Sequence, residues 1–256
     1  MNGPAVLLAT WCLASAPAAS DTARVRRAHV EAGYAVEAFT RDRSAWQSAS
    51  LRAGYRWERA AAVAEVGLSS RFDRWDRTAA GEAYATLSRG LSGFARLQLA
   101  PGADVLPRID VQAGLDRALG GGWEGGLSYR RMGFRGAAID ILGVAATRYL
   151  GHWYLQARGT LVPEGGRTGG GVAFRARRYR DPSRPDELVE VAVALGQEVA
   201  LLGVGIRPAV LSTASLEGRL VRRLGGDWSV AAGLSWAREE RIPSRFGARA
   251  GLRRDW

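Results

Sequence analysis

Apolar and polar residues alternate along most of this chain, and helical spacing is hard to find. Trp228–Trp236 carries the cleanest pattern. Trp228, Val230, Ala232, Leu234 and Trp236 share one parity; Ser229, Ala231, Gly233 and Ser235 share the other. Alternation of period two sends successive side chains to opposite faces of a β-strand. Nine such residues at about 3.4 Å each, tilted by about 40°, rise a little over 20 Å, close to the roughly 25 Å apolar band of an outer-membrane barrel. Tryptophan at both ends of the apolar face fits two membrane–water interfaces.

The same design recurs with charge on the second face. Ala49, Leu51, Ala53, Tyr55 and Trp57 oppose Arg52, Arg56 and Glu58; Trp123, Leu127 and Tyr129 oppose Glu124 and Arg130. Val172, Phe174 and Ala176 oppose Arg175 and Arg177; Val189–Leu195 opposes Glu190; Leu216 and Leu220 oppose Glu217, Arg219 and Arg223. In the closing FGARAGLRRDW, Phe246, Ala248, Ala250, Leu252 and Trp256 oppose Arg249 and Arg253, with Arg254 the outward exception. These charged residues are the expected lumenal set. Trp123, Trp153, Trp228, Trp236 and Trp256 are the expected interface aromatics.

Three turns share Leu, Gly and a following Trp: LGGGW at 119–123, LGHW at 150–153 and LGGDW at 224–228. Even numbers of strands separate them, so they should share one barrel end, and their shortness suits the periplasmic side. Arg71–Glu82, Tyr179–Glu187 and Arg238–Arg245 read as longer extracellular loops. Thirteen runs are countable from about Val30, whereas a bacterial single-chain barrel takes an even number. Twelve fits the length better, with fourteen the alternative.

The N-terminus changes the picture by adding export. Ala5–Ala14 is apolar, and Ala18 and Ser20 are small residues placed for cleavage before Asp21, so residues 1–20 read as a signal peptide and 21–256 as the barrel domain. The only cysteine, Cys12, lies in that leader, leaving no thiol for a disulfide or a cysteine-ligated metal in the mature chain. No run of about 18 apolar residues follows, so no membrane helix is expected. The formal net charge of +11 comes from arginine alone, with no lysine. Such charge suits an anionic partner, but no nucleic-acid recognition motif accompanies it.

Several motifs in order resemble the YaiO family of outer-membrane β-barrels: Arg71–Phe72 with Asp73, Ala83–Tyr84, Leu106–Pro107–Arg108, YLGHWYLQAR at 149–158 and RARRYRD at 175–181. The resemblance runs from about Glu31 to the C-terminus. It implies a barrel in the outer membrane and supplies no catalytic residues.

Candidate chemistry is sparse. His29 and His152 are the only histidines, neither with an adjacent Ser–acid pair, and no metal-ligand spacing occurs. The glycines of GGRTGGG precede no helix, so a turn is expected there rather than a phosphate loop. The expectation is therefore an all-β, antiparallel transmembrane barrel without cofactor or metal and not an enzyme. Its lumenal arginines would either brace the wall through ion pairs or pass anions or an anionic polysaccharide. Its partners would be outer-membrane lipid and lipopolysaccharide, and the barrel assembly machinery through the last strand. The alternative is an outer-membrane enzyme modifying lipid or glycan.

Overall fold

The computed structural model describes residues 5–6, 27–41, 43–164, 167–181, 184–201, 209–240 and 242–256. From residue 28 onward the chain is a succession of strands: β1 (Ala28–Phe39), β2 (Trp46–Arg56), β3 (Ala60–Arg71), β4 (Arg74–Ser88), β5 (Leu91–Leu99), β6 (Ile109–Gly120) and β7 (Trp123–Phe134). There follow β8 (Ala137–Leu150), β9 (Trp153–Glu164), β10 (Arg167–Asp181), β11 (Arg184–Leu201), β12 (Ala209–Gly225), β13 (Trp228–Glu239) and β14 (Ile242–Asp255). Each pairs antiparallel with its sequence neighbours, and β14 pairs antiparallel with β1 from Arg245↔Phe39 to Asp255↔His29, closing the ring. Closure leaves no unpaired edge, which the hydrocarbon core of a bilayer demands. The proposed leader falls outside the described residues apart from Ala5–Val6, which pair with Leu201 and Ala200.

The 14-strand count corrects the favoured twelve. The discrepancy lies at the expected loop Arg71–Glu82, most of which belongs to β4, with β5 following at once. Both faces of early β4 are polar or interfacial: Asp76 points inward and is buried, while Trp75 and Arg77 are exposed outside. With charge on one side and interface residues on the other, alternation loses its apolar half and resembles a loop. At fourteen strands spaced about 4.8 Å and tilted about 40°, the backbone ring is roughly 28 Å across.

Strand order puts both barrel termini and all three Leu-Gly…Trp turns at one end, the periplasmic one. In the first of them Gly121 and Gly122 have φ of 56° and 81°, values glycine adopts without a steric penalty. The three expected long loops are otherwise. Arg71–Glu82 turns at residues 72–73, and β13 and β14 run to Glu239 and from Ile242, so both links are tight. Tyr179–Glu187 lies between β10 and β11, at the periplasmic end. The longest described connection at the extracellular end is 100–108, between β5 and β6.

Candidate functional site: a stoppered, charge-lined lumen

Alternation directs apolar side chains outward and charge inward. Leu51, Val66, Leu115, Leu127, Val144, Phe174, Leu216 and Leu234 are exposed on the outer surface, where lipid replaces water. On the inner wall, adjacent strands offer opposite charges to one another. Arg52 on β2 lies 3.2 Å from Glu65 and 3.3 Å from Glu82. Arg96 lies 3.1 Å from Glu82 and 3.7 Å from Asp110, and Arg130 grips Asp110 with two hydrogen bonds of 2.9 and 2.5 Å. This relay of guanidinium and carboxylate spans β2 to β7. Paired forks of this kind are geometrically specific as well as charge-assisted.

A second cluster occupies β10–β12. Glu190 accepts bonds of 2.8 and 2.6 Å from Arg177, lies 3.7 Å from Arg175 and faces Arg219 across the strand pair. Two guanidinium groups thus contact one carboxylate, and a third stands opposite it in register. Glu217 pairs with Arg249 on β14. Along the chain the charges segregate. Carboxylates predominate on β3–β7 (Glu65, Asp76, Glu82, Asp110, Asp116, Glu124), arginines on β9–β12 (Arg158, Arg175, Arg177, Arg219). Arg158 reaches over β8 to the Ser128 hydroxyl, a path left open by Gly143. A Cβ at Gly143 would stand 2.5 Å from Ser128 Oγ and 2.8 Å from Arg158 Nη2.

Not every expected lumenal residue lies on the mid-wall. Glu58 is exposed in the bend after β2, because the strand ends at Arg56, and it corrects the expectation of a lumenal side chain. Arg56 closes its strand at the periplasmic rim. Arg223 donates to the Gly226 carbonyl at 2.8 Å and Arg253 to Asp255, so both serve the same rim. Glu124 faces inward near that end. Trp123, Trp153, Trp228 and Trp256 are exposed on the outer surface at the periplasmic end, and Trp236 is half-buried on the outer face toward the other.

The extracellular half of the lumen is different in kind. Trp46, the first residue of β2, points inward and is buried against Val105 of the 100–108 connection, with Phe39, Phe72 and Phe134 packed around them. Phe39 and Phe72 meet the Trp46 ring edge-on at centroid distances of 4.8 and 5.4 Å. Phe134 also packs on a second group, Met132 and Val162 with Ile139 and Ile141. Apolar side chains therefore bridge the lumen from β1–β3 to β7–β9 through the folded-in connection. Arg71 and Arg245 stack on Trp46 at 4.9 and 5.5 Å, and Arg245 lies 3.0 Å from Glu239, covering the indole with cations.

One carboxylate anchors the connection. The buried Asp76 accepts backbone N–H bonds from Asp104 at 3.1 Å, Val105 at 3.0 Å and Leu106 at 2.8 Å. These amides have no strand partner, so the carboxylate satisfies groups that would be costly to bury bare. β14 carries three inward arginines at intervals of four, from the stopper to the periplasmic rim. The side chain of Arg245 is 3% exposed, that of Arg249 33% and that of Arg253 38%. Among the described residues the apolar stopper lies on the extracellular side, and the inward Tyr154, Thr147, Ser229 and Asp255 nearer the periplasmic end are buried as well.

The stopper was not anticipated, although Phe72, Leu106 and Pro107 belong to the motifs quoted above. The available signal was PGADVLPR itself: a Pro/Gly-bounded connection holding consecutive Val and Leu has to bury them somewhere.

The YaiO membrane beta barrel domain is matched over residues 27–198. Among solved structures, a CymD monoaromatic hydrocarbon channel is similar with 12% identity over 90% of this chain and 89% of that one, at a TM-score of 0.59. A bacterial polysaccharide outer membrane secretin is similar with 9% identity over 90% and 99%, at 0.53. OpdO of Pseudomonas aeruginosa has 11% identity over 90% and 96%, at 0.51. No curated protein matches. At these identities the likeness speaks to the barrel alone.

Proposed function

The chain belongs to the YaiO family of membrane β-barrels and resides in the outer membrane, and from that premise we propose that it is a stoppered channel for polar solutes bearing an anionic group, an acidic glycan segment being the largest passenger. The observation that carries this reading is the stopper itself: the 100–108 connection packs into the lumen against Trp46 and is latched there by Asp76. A barrel braced only for structure has no need of a separate connection latched across its lumen by one carboxylate. The cluster around Glu190 supports the choice of anion: it gathers three guanidinium groups, those of Arg175, Arg177 and Arg219, on one stretch of the wall where arginines outnumber carboxylates. The solved neighbours include a hydrocarbon channel and a polysaccharide secretin. One barrel fold thus hosts unlike cargoes, and the passenger is argued here from the charge of the wall.

The non-enzymatic reading is part of the proposal. His152 sits in the two-residue turn between β8 and β9, its Nδ1 3.3 Å from the Tyr179 carbonyl oxygen. His29 is the second residue of β1, at the periplasmic rim. Neither is near the outer leaflet, where an envelope acyltransferase or hydrolase of lipid would act. Lipopolysaccharide around the extracellular half and the barrel assembly machinery at β14 are the proposed remaining partners.

The test is planar-bilayer recording of the full chain beside a variant lacking residues 101–107. The wild type should show rare openings and the deletion a steady conductance favouring anions. A deletion variant that retains heat-modifiable gel mobility yet carries no current would overturn the proposal.

A further inference from the structure

The outer surface at the periplasmic rim repeats one device. Trp123 on β7 stands directly opposite Arg148 on β8, Trp153 on β9 opposite Arg178 on β10, and Trp228 on β13 opposite Arg254 on β14. In each case the guanidinium lies over the indole of its cross-strand partner, at 4.9, 5.8 and 5.6 Å from the ring centroid. Arg254 also reaches Trp256 at 5.9 Å. The tryptophans are those of the three Leu-Gly…Trp turns, so each turn sets one indole on the rim and the next strand supplies its arginine.

Two features point outside the protein. The arginines occupy outward positions, where alternation elsewhere puts apolar residues. None of the three is paired with a carboxylate among the described residues, although Arg148 donates to the Gly121 carbonyl. A contrast stands at the opposite end of the barrel, where outward Arg131 is neutralised by Asp140 at 2.9 Å. Stacking on an indole covers a guanidinium face and leaves its N–H edge free, and that edge matches a phosphate with two parallel bonds. Indole rings settle at headgroup depth. Arg178 and Arg254 therefore present a whole phosphate-binding fork at the level of the lipid phosphates, and Arg148 presents the N–H groups that the Gly121 carbonyl does not take.

We propose that these three Trp–Arg pairs bind anionic glycerophospholipids of the periplasmic leaflet and fix the depth of the barrel there. The inference is independent of what crosses the lumen. Charge complementarity identifies the occupant: an arginine near an anionic membrane surface gains enough to enrich such a lipid about fivefold at its site.

The experiment uses the full chain reconstituted in phosphatidylcholine vesicles containing a trace of dansyl-headgroup-free, tail-dansylated phosphatidylglycerol or phosphatidylcholine, read by energy transfer from tryptophan. Tail-labelled phosphatidylglycerol should be enriched several-fold over tail-labelled phosphatidylcholine, and the preference should fall away in R148Q/R178Q/R254Q but persist in R131Q. Inorganic phosphate at millimolar concentration should compete weakly; full competition would mean a free-phosphate site rather than a lipid site and would overturn the assignment. Equal transfer to both lipids in the wild type would also refute it, whatever the folding of the triple variant.

Discussion

Replacing Asp76 with alanine tests the stopper at its anchor. The wild-type carboxylate accepts three backbone N–H bonds from Asp104, Val105 and Leu106. A hydrogen bond to a charged group contributes about 1.5–3 kcal/mol. Three donors sharing two oxygens do not add fully, so we take roughly 3 kcal/mol for the set. Against this, Val105 and Leu106 keep their apolar burial, about 1.5–3 kcal/mol each, and the Arg108 bond to the Ala103 carbonyl at 3.3 Å survives. The closed state therefore still predominates, but its ratio to the open state should drop roughly 150-fold, at tenfold per 1.4 kcal/mol. Single-channel recording reads this as open probability, while heat-modifiable mobility stays unchanged because no ladder hydrogen bond of the wall is touched. Asp76→Asn, which keeps one acceptor oxygen, should fall between. If D76A opened no more than a few times as often as wild type while the 101–107 deletion conducted freely, the carboxylate would not be the latch.

Two further outcomes follow from named geometry. In the loop-deleted background, R175Q/R177Q/R219Q should leave Glu190 uncompensated and move the reversal potential in a KCl gradient from anion toward cation selectivity; an unchanged potential would show that the ions pass elsewhere. Asp73 holds φ of 59° beside Phe72 at 53°, a left-handed pair that costs L-residues about 1–2 kcal/mol each. Asp73→Gly should therefore raise resistance to urea by roughly 0.5–1 kcal/mol, measured from folding titrations into lipid vesicles, and a loss of stability would mean that the Asp73 side chain supports the turn.

Much of the architecture was available from the order of residues alone. Alternation in Trp228–Trp236 and Val172–Tyr179 defines strands, their two faces and a charged interior, because side-chain direction in a strand is set by parity and needs no partner. The shared end of the three Leu-Gly…Trp turns follows from strand parity in the same way. Where parity carried no hydrophobic contrast, as in Arg74–Glu82, the strand was missed and the count with it. Glu58 was misplaced because parity says nothing about where a strand stops.

Which charges meet was beyond the linear pattern. Arg52 finds Glu82, thirty residues away, only because β2, β3 and β4 lie side by side in register. The stopper is the extreme case: Trp46, Phe72, Val105 and Phe134 come from separate connections and strand ends and meet only inside the closed ring. Each is an ordinary apolar residue in its local sequence. Local propensity and periodicity made this chain a membrane barrel; the packing of distant segments, whose burial is defined only once the barrel has closed, decided that an apolar stopper fills the extracellular side of its lumen.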